Sequence, residues 1–164
     1  MEIDFISITL IITTFLWLFS LGYLCFAFIA LELFKYKKNK KNFSANFSPP
    51  VTILKPIYGL DPDMLNCLRS FCQQDYPKYQ VIFGLQDKND PALPLVKQVI
   101  KEFSDYDISF IINTKLHGTN RKVSNLINMN PYVKYEYILI ADSDMHVSKN
   151  YLTHVMEPFS NKKV

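Results

Sequence analysis

The chain has 164 residues, of which 49% are hydrophobic and 20% are charged, and its formal net charge is +3 at pH 7. This length suits about one domain, and the hydrophobic content excludes an intrinsically disordered protein. So small a positive charge argues against a nucleic-acid-binding protein. The 3 cysteines do not predict a disulfide framework. We therefore expect one domain with reduced thiols and no nucleic acid among its partners.

The first feature along the chain is an uncharged apolar stretch from Phe5 to Leu31. It is longer than the about 20 residues that span a bilayer, so it predicts a single-pass membrane anchor helix over residues 5–34. Acidic residues precede it, and the basic residues that follow it are Lys35, Lys37, Lys38, Lys40 and Lys41. The positive-inside rule then places the remainder of the chain in the cytoplasm, with the lysines near anionic headgroups of the lipid bilayer.

The alternative for this stretch is a cleaved signal peptide. A signal peptide has a basic start, a shorter apolar region and a cleavage site between small residues. Here the start carries Glu2 and Asp4, and no such cleavage site follows. The anchor helix is therefore the favoured interpretation.

Residues 35–50 are polar and basic and end in two prolines, which predicts a juxtamembrane linker before a domain over residues 51–164. In that domain, β-rich runs alternate with segments of helical hydrophobic spacing. The predicted strands cover residues 51–54, 79–85, 108–112 and 137–141. Four helices are predicted. The first is capped by Asp61 and has Pro62 at its first position, and the second covers residues 94–103. The third is a short helix around residues 123–127, and the fourth is capped by Ser148.

This alternation predicts an α/β fold with a mostly parallel sheet that is covered on both faces. Ligands of such sheets bind beyond the carboxyl ends of the strands. Lys55 follows the first predicted strand, Asp87 and Asp90 follow the second, and Asp142 and Asp144 follow the fourth. These residues are therefore the first candidates for a binding site.

Asp142 and Asp144 give the clearest chemical signal, because they are separated by a single residue at the end of a strand predicted to be buried. On extended backbone such side chains point the same way, and nearby carboxylates repel each other unless a cation joins them. Oxygen ligands suit Mg²⁺ or Mn²⁺, which would stabilise a departing diphosphate. The alternative is a solvated acidic turn that caps the next helix, and the position at the strand end favours the metal site.

Two further segments leave alternatives open. Asp87 or Asp90 would accept hydrogen bonds from a nucleotide base or ribose, but Asp90 precedes Pro91 and equally suits the cap of the next helix. Further on, Gly118 permits close approach of the backbone, and Arg121 and Lys122 place cations near a helix start, where anions bind. That arrangement suits a diphosphate, and the alternative is an ordinary basic surface turn.

The run VTILKPIYGLDPDMLNCLRSFCQQDYPKYQVIFGLQDKNDP, followed by GTNRKVSNL and ADSDMHV, resembles the N-terminal portion of a known enzyme family. These motifs are similar to ceramide glucosyltransferases and hopanoid-associated glycosyltransferases of glycosyltransferase family 21, which is close to family 2. The resemblance covers about residues 51–160. It implies a GT-A type, Rossmann-like domain that binds a UDP-sugar with Mg²⁺ or Mn²⁺ and inverts the anomeric centre.

The resemblance also implies roles for individual residues. Asp142 and Asp144 would form the Asp-x-Asp site for the metal and diphosphate, and Asp90 would lie near the nucleotide. The residues implied at the first strand end, under the uridine, are Lys55 and Pro56. The residues implied for the donor-binding turn are Asn120, Lys122 and Asn125.

The function implied is transfer of a hexose or an N-acetylhexosamine to a membrane lipid acceptor of the ceramide or hopanoid kind. Members of the family also carry an aspartate as general base and a Q-x-x-R-W motif, which do not occur before Val164. We therefore assign no catalytic base and expect the N-terminal portion of such an enzyme. The alternative to an active membrane-anchored glycosyltransferase is an inactive membrane-bound fragment or one half of a split enzyme that pairs with a separately encoded C-terminal half.

A Mg²⁺-dependent phosphotransferase of the haloacid-dehalogenase kind is the rival hypothesis, because such enzymes also use Asp-x-Asp. Their motif follows the first strand and carries Thr two residues after the second aspartate. Here the motif follows the fourth predicted strand, and His146 occupies that position. The glycosyltransferase is therefore favoured.

Overall fold

The computed structural model describes the backbone of residues 4–39 and 47–161 and, apart from residues 37–39, their side chains. The chain divides into two compact units, Met1–Phe43 and Ser44–Val164.

The first unit is a single long helix, α1, which covers Phe5–Asn39. Its large apolar side chains are exposed along its length. Over Phe5–Tyr36, the helix is long and apolar enough to cross a membrane. The helix extends into the segment predicted as a linker, where Lys35 forms an ion pair of 2.8 Å with Glu32. The other predicted headgroup contacts, from Lys37 to Lys41, lie outside the described side chains.

The second unit is an α/β domain with four strands and four α-helices among the described residues. The strands are β1 (Val51–Pro56), β2 (Tyr79–Leu85), β3 (Ile108–Ile112) and β4 (Tyr137–Ile140). The helices are α2 (Met64–Cys72), α3 (Leu93–Glu102), α4 (Arg121–Met129) and α5 (Tyr151–Met156). Short 3-10 helices follow α4 and α5, at Asn130–Tyr132 and Glu157–Ser160.

All strand pairs are parallel, and the strand order is β3-β2-β1-β4. The predicted parallel α/β fold is therefore confirmed. In the central strand β1, Leu54 is paired with Ile82 of β2 on one side and with Ile140 of β4 on the other. The carboxyl ends of these three strands consequently meet at one edge of the sheet.

The larger hydrophobic core lies between one face of the sheet and the helices α2, α3 and α5. Each of these helices buries an apolar stripe, as the helical spacing of the sequence predicts. Side chains that are fully buried there include Ile53, Leu68, Phe71, Phe83, Val96 and Leu152. This core fixes β1 and α2, the two elements that lie beneath the site described below.

The opposite face of the sheet is covered by α4 through a small core of Leu54, Ile82 and Met129. Gly84 of β2 makes this close packing possible. A Cβ atom at Gly84 would overlap the Met129 Sδ and Asn125 Oδ1 atoms. Glycine at this position therefore determines how near the second half of α4 lies to the end of β2.

The expectation that the fourth strand is buried on both faces is wrong. Tyr137 and Leu139 pack against the larger core, whereas Ile138 and Ile140 are 46% and 53% exposed on the α4 side. The reason is that α4 packs over β1 and β2, and β4 is the last strand of the described sheet. No described element therefore covers the apolar side chains on this face of β4.

The predicted start of α2 is also wrong. The helix begins at Met64, and its N-cap is Asp63, which has a left-handed φ of 57° and no side-chain capping hydrogen bond. Asp61 does not cap the helix, because its carboxylate accepts a hydrogen bond of 2.6 Å from the Ser143 hydroxyl. The Asp61 carboxylate thus bonds to Ser143, which is distant in sequence, and does not cap the start of α2.

Candidate functional site

A cavity of about 410 Å³ lies at the carboxyl edge of the sheet, between the ends of β1 and β4 and the start of α4. The predicted site residues that line it are Pro56, Lys122, Asn125, Asp142 and Asp144. Lining residues that the sequence analysis did not select include Tyr58, Asp61, Gln86 and Ser143. The structure therefore brings the acidic pair and the predicted basic turn to one place.

The acidic pair lies on a turn, not on extended backbone as expected. The strand ends at Ile140, and the Met145 N–H donates to the Asp142 carbonyl at 3.4 Å. The two aspartates still line the same cavity, and the Ser143 hydroxyl between them donates a hydrogen bond to Asp61. The carboxylate of Asp142 also forms an ion pair with the Lys122 ammonium.

The residues at this turn fit a divalent cation that is shared with a phosphate ligand. Among the described residues, no three His, Cys, Asp or Glu side chains gather as a metal site. The Asp142 and Asp144 carboxylates would supply part of the coordination sphere, and Mg²⁺ commonly completes such a sphere with water and substrate phosphates. The pair therefore suits an ion that binds together with an anionic ligand.

Lys55 lies beneath this turn and does not line the cavity. Its side chain is fully buried, and its ammonium group donates a hydrogen bond of 2.6 Å to the Asp142 carbonyl. The same group lies 3.7 Å from the centre of the Phe71 ring. Burial lowers the pKa of Lys55 to about 8. The direct contact with a uridine that the resemblance implies is therefore not available in this arrangement.

The turn before α4 divides into residues that face the cavity and residues that shape the helix. Asn120 is the N-cap, and its side-chain oxygen accepts from the Val123 N–H at 3.1 Å. Asn125 is buried and donates to the Gly84 carbonyl at 2.8 Å, while Lys122 points to Asp142. A Cβ at Gly118 would meet no atom within 4 Å, so the packing of the protein itself does not require glycine there.

Asp90 organises a loop, but it does not cap α3 as the alternative proposed, because the N-cap of that helix is Ala92. Its carboxylate is buried, and it accepts hydrogen bonds from the Ala92 N–H at 2.8 Å and the Gly59 N–H at 3.1 Å. Gly59 has a φ of 68°, which favours glycine. Asp90 thereby joins the start of α3 to the loop after β1, the loop that carries Tyr58.

A second cavity, of about 360 Å³, adjoins the first and contains Asp87. The two cavities share Tyr58, Gln86 and Arg121 as lining residues. Tyr58 exposes its ring, and the Gln86 side-chain nitrogen is buried without a hydrogen-bond partner among the described atoms. A buried donor without a partner is costly, so Gln86 is suited to bond a ligand oxygen. Its position directly after β2 is the signal that the sequence analysis overlooked.

The fold is that of GT-A-like glycosyltransferases. The mannosyltransferase PcManGT from Pyrobaculum calidifontis, solved with GDP-Man and Mn²⁺, aligns with a TM-score of 0.60 and 20% identity over 85% of this chain and 42% of its own. TarS from S. aureus aligns with a TM-score of 0.50 and 19% identity over 65% of this chain and 31% of its own.

The model of the family described as glycosyl transferase family 21 matches residues 13–164, and the chain belongs to that family. It is 34% identical over 114 residues to the ceramide glucosyltransferase of Candida albicans, covering 62% of this chain and 21% of that protein. It is 34% identical over 111 residues to the enzyme of Komagataella phaffii, covering 65% of this chain and 22% of that protein. The chain thus spans about a fifth of the length of these relatives.

Proposed function

We propose that the chain forms the donor-binding part of an inverting glycosyltransferase, which transfers a hexose or an N-acetylhexosamine from a UDP-sugar to a membrane lipid. The observation that carries this proposal is the cavity that gathers Asp142, Asp144 and Lys122 at the carboxyl ends of parallel strands. Similarity to ceramide glucosyltransferases supports a lipid acceptor of the ceramide or hopanoid kind.

In this proposal the first cavity takes the diphosphate. Asp142 and Asp144 hold Mg²⁺ or Mn²⁺, which would neutralise charge that develops on the leaving diphosphate. The Lys122 ammonium exchanges its ion pair with Asp142 for a phosphate oxygen, and it then stabilises the same charge. The Mn²⁺ and GDP-Man of the solved mannosyltransferase support this assignment.

The second cavity takes the nucleoside. A pyrimidine base has an aromatic face, carbonyl acceptors and an N–H donor. Each of these features has a complement in the second cavity. The exposed ring of Tyr58 suits the aromatic face, the unpaired amide nitrogen of Gln86 suits a carbonyl acceptor, and the carboxylate of Asp87 suits the N–H donor. Asp90 contributes indirectly, because it holds the loop that presents Tyr58.

The acceptor side of the reaction is not assigned to residues of this chain. Inversion requires a general base that takes a proton from the acceptor hydroxyl. The side chains to which this proposal gives a role serve the metal, the diphosphate or the nucleoside, and none of them serves as the base. The proposal therefore concerns donor binding, and the experiment that tests it measures binding.

We further propose that residues 5–34 anchor the protein in the membrane, that residues 35–50 link it, and that the domain of residues 51–164 faces the cytoplasm. The exposed apolar surface of α1 and the lysines that follow it support this orientation. Protease treatment of sealed, cytoplasm-out vesicles is expected to degrade the domain. Protection of the domain in these vesicles, with cleavage only after detergent is added, would contradict the orientation.

Calorimetric titration of UDP into the full chain in detergent micelles tests donor binding. We expect binding in the presence of Mn²⁺ and affinity at least about tenfold lower after chelation, since outer partners of a metal site alone alter affinity by about 10–100-fold. ADP serves as the matched nucleotide, and it is expected to bind more weakly because its base is larger than a pyrimidine. A folded chain that binds neither nucleotide would overturn the proposal.

A further inference from the structure

A buried lysine near the carboxyl end of an apolar strand is unusual, and packing alone does not explain Lys55. The five residues of β1 from Val51 to Lys55 are all buried, and an uncompensated charge in such surroundings is costly. Methionine would fill a similar volume without that cost. The lysine is therefore expected to serve something other than the core.

We propose that Lys55 is a positioning residue, which fixes the backbone at Asp142 from below and thereby orients the acidic pair toward the metal and the diphosphate. This inference rests on the proposed donor site. It differs from the role under the uridine that the resemblance implies, because Lys55 would act through Asp142 and would not touch the donor.

The contacts beneath the turn support this role. The sheet ladder ends where the Ala141 N–H donates to the Leu54 carbonyl at 3.0 Å. Beyond that point the Asp142 carbonyl accepts from the Lys55 ammonium at 2.6 Å, and the Asp144 carbonyl accepts from the Cys67 thiol at 3.3 Å. Each acidic residue is thus held through its carbonyl by a side chain from β1 or α2.

The elements that supply these side chains are rigid. Lys55 belongs to the central strand, and Cys67 belongs to α2, whose inner face is part of the larger core. The Phe71 ring, 3.7 Å from the Lys55 ammonium, is fully buried and fills the space on its other side. A site held by packed strands and helices keeps its geometry better than one held by loops. These contacts from below engage only the carbonyls, so both side chains still line the cavity, where the Asp142 carboxylate pairs with Lys122.

Lys55→Met tests this inference in the full chain in detergent micelles. We expect the affinity for UDP with Mn²⁺ to fall at least about tenfold, at the lower end of the range for residues that orient metal ligands. We expect the melting temperature to stay equal or rise, because an apolar isostere removes a buried charge. A purely structural lysine would give the opposite pattern, with lower stability and unchanged affinity.

Thr52→Val is the matched control on the same strand. Thr52 is fully buried and donates to the Gln80 side-chain oxygen at 3.0 Å. It lies three residues from Lys55, about 10 Å along the strand and away from the acidic turn. We expect this variant to lose stability and to bind UDP with Mn²⁺ as the unmodified chain does.

The outcomes separate the two proposals. If the unmodified chain does not bind, the proposed function fails and this inference fails with it. If the unmodified chain binds and folded Lys55→Met binds within twofold of it, or Thr52→Val weakens binding equally, only the positioning role is overturned. Should Lys55→Met not fold, Lys55→Leu replaces it with the same criteria, because it also removes the donor to the Asp142 carbonyl.

Discussion

Asp144→Ala is expected to abolish the Mn²⁺-dependent part of UDP binding. In the proposed site only two protein carboxylates hold the metal, and the other, Asp142, already shares its charge with Lys122. After loss of Asp144, a single protein carboxylate remains to bind the cation, and its binding energy alone must offset the cost of dehydrating the cation. Outer partners of a metal site alone contribute about 10–100-fold in affinity, so loss of a direct ligand is expected to cost about 100-fold or more.

The matched control is Asp105→Ala, which removes an exposed carboxylate in the turn before β3, at the opposite end of the strands. Both variants are measured by calorimetry in the full chain, with circular dichroism to verify the fold. Equal affinity of Asp144→Ala and the unmodified chain would remove the acidic pair from the proposed mechanism. Equal loss in both variants would indicate a general charge effect.

Gly84→Ala is expected to destabilise the domain by about 2–3 kcal/mol, at the upper end of the cost of overpacking a core. The added methyl would overlap Met129 and Asn125, and Met129 is fully buried with no free space to accept it. Asn125 cannot move away without losing its hydrogen bond to the Gly84 carbonyl. Because Lys122 lies on the same helix, UDP binding is expected to weaken as well.

Gly118→Ala is the matched control for this substitution, since its added methyl meets no atom within 4 Å. Urea denaturation of the two variants, followed by circular dichroism in the same detergent, gives the free energy of unfolding. We expect Gly118→Ala to differ from the unmodified chain by less than about 0.5 kcal/mol, as is usual for surface changes. A Gly84→Ala variant of equal stability would show that α4 packs farther from β2.

The elements with a strong local pattern were predictable from the sequence. The strands of residues 79–85 and 108–112 have the predicted bounds, because short apolar runs flanked by polar residues mark buried strands. The start of α2 was not predictable, because it depends on the bond between Ser143 and Asp61 across 82 positions of sequence. A local capping signal competes with hydrogen-bond partners that are distant in sequence, and those partners come close only when the chain has folded.

The candidate site shows the same division. Its expected location followed from the rule that ligands bind at the carboxyl ends of parallel strands, and a cavity there is lined by the acidic pair together with Lys122, which was selected separately as part of the basic turn. The sequence could not show whether Asp90 faces a ligand or a backbone amide, because the second amide belongs to Gly59 in another loop. It also could not show that Lys55 is buried, since a lysine after a strand is usually exposed.

Because β4 is the terminal strand among the described residues, another strand can pair with its outer edge without displacing an existing strand. Side chains of such a strand would lie beside Ile138 and Ile140, which are exposed on the α4 side of the sheet. A strand that paired with β4 would reach the level of Ile140, where β4 ends just before the acidic turn. Growth of the sheet would therefore bring new chemical groups to the border of the cavity.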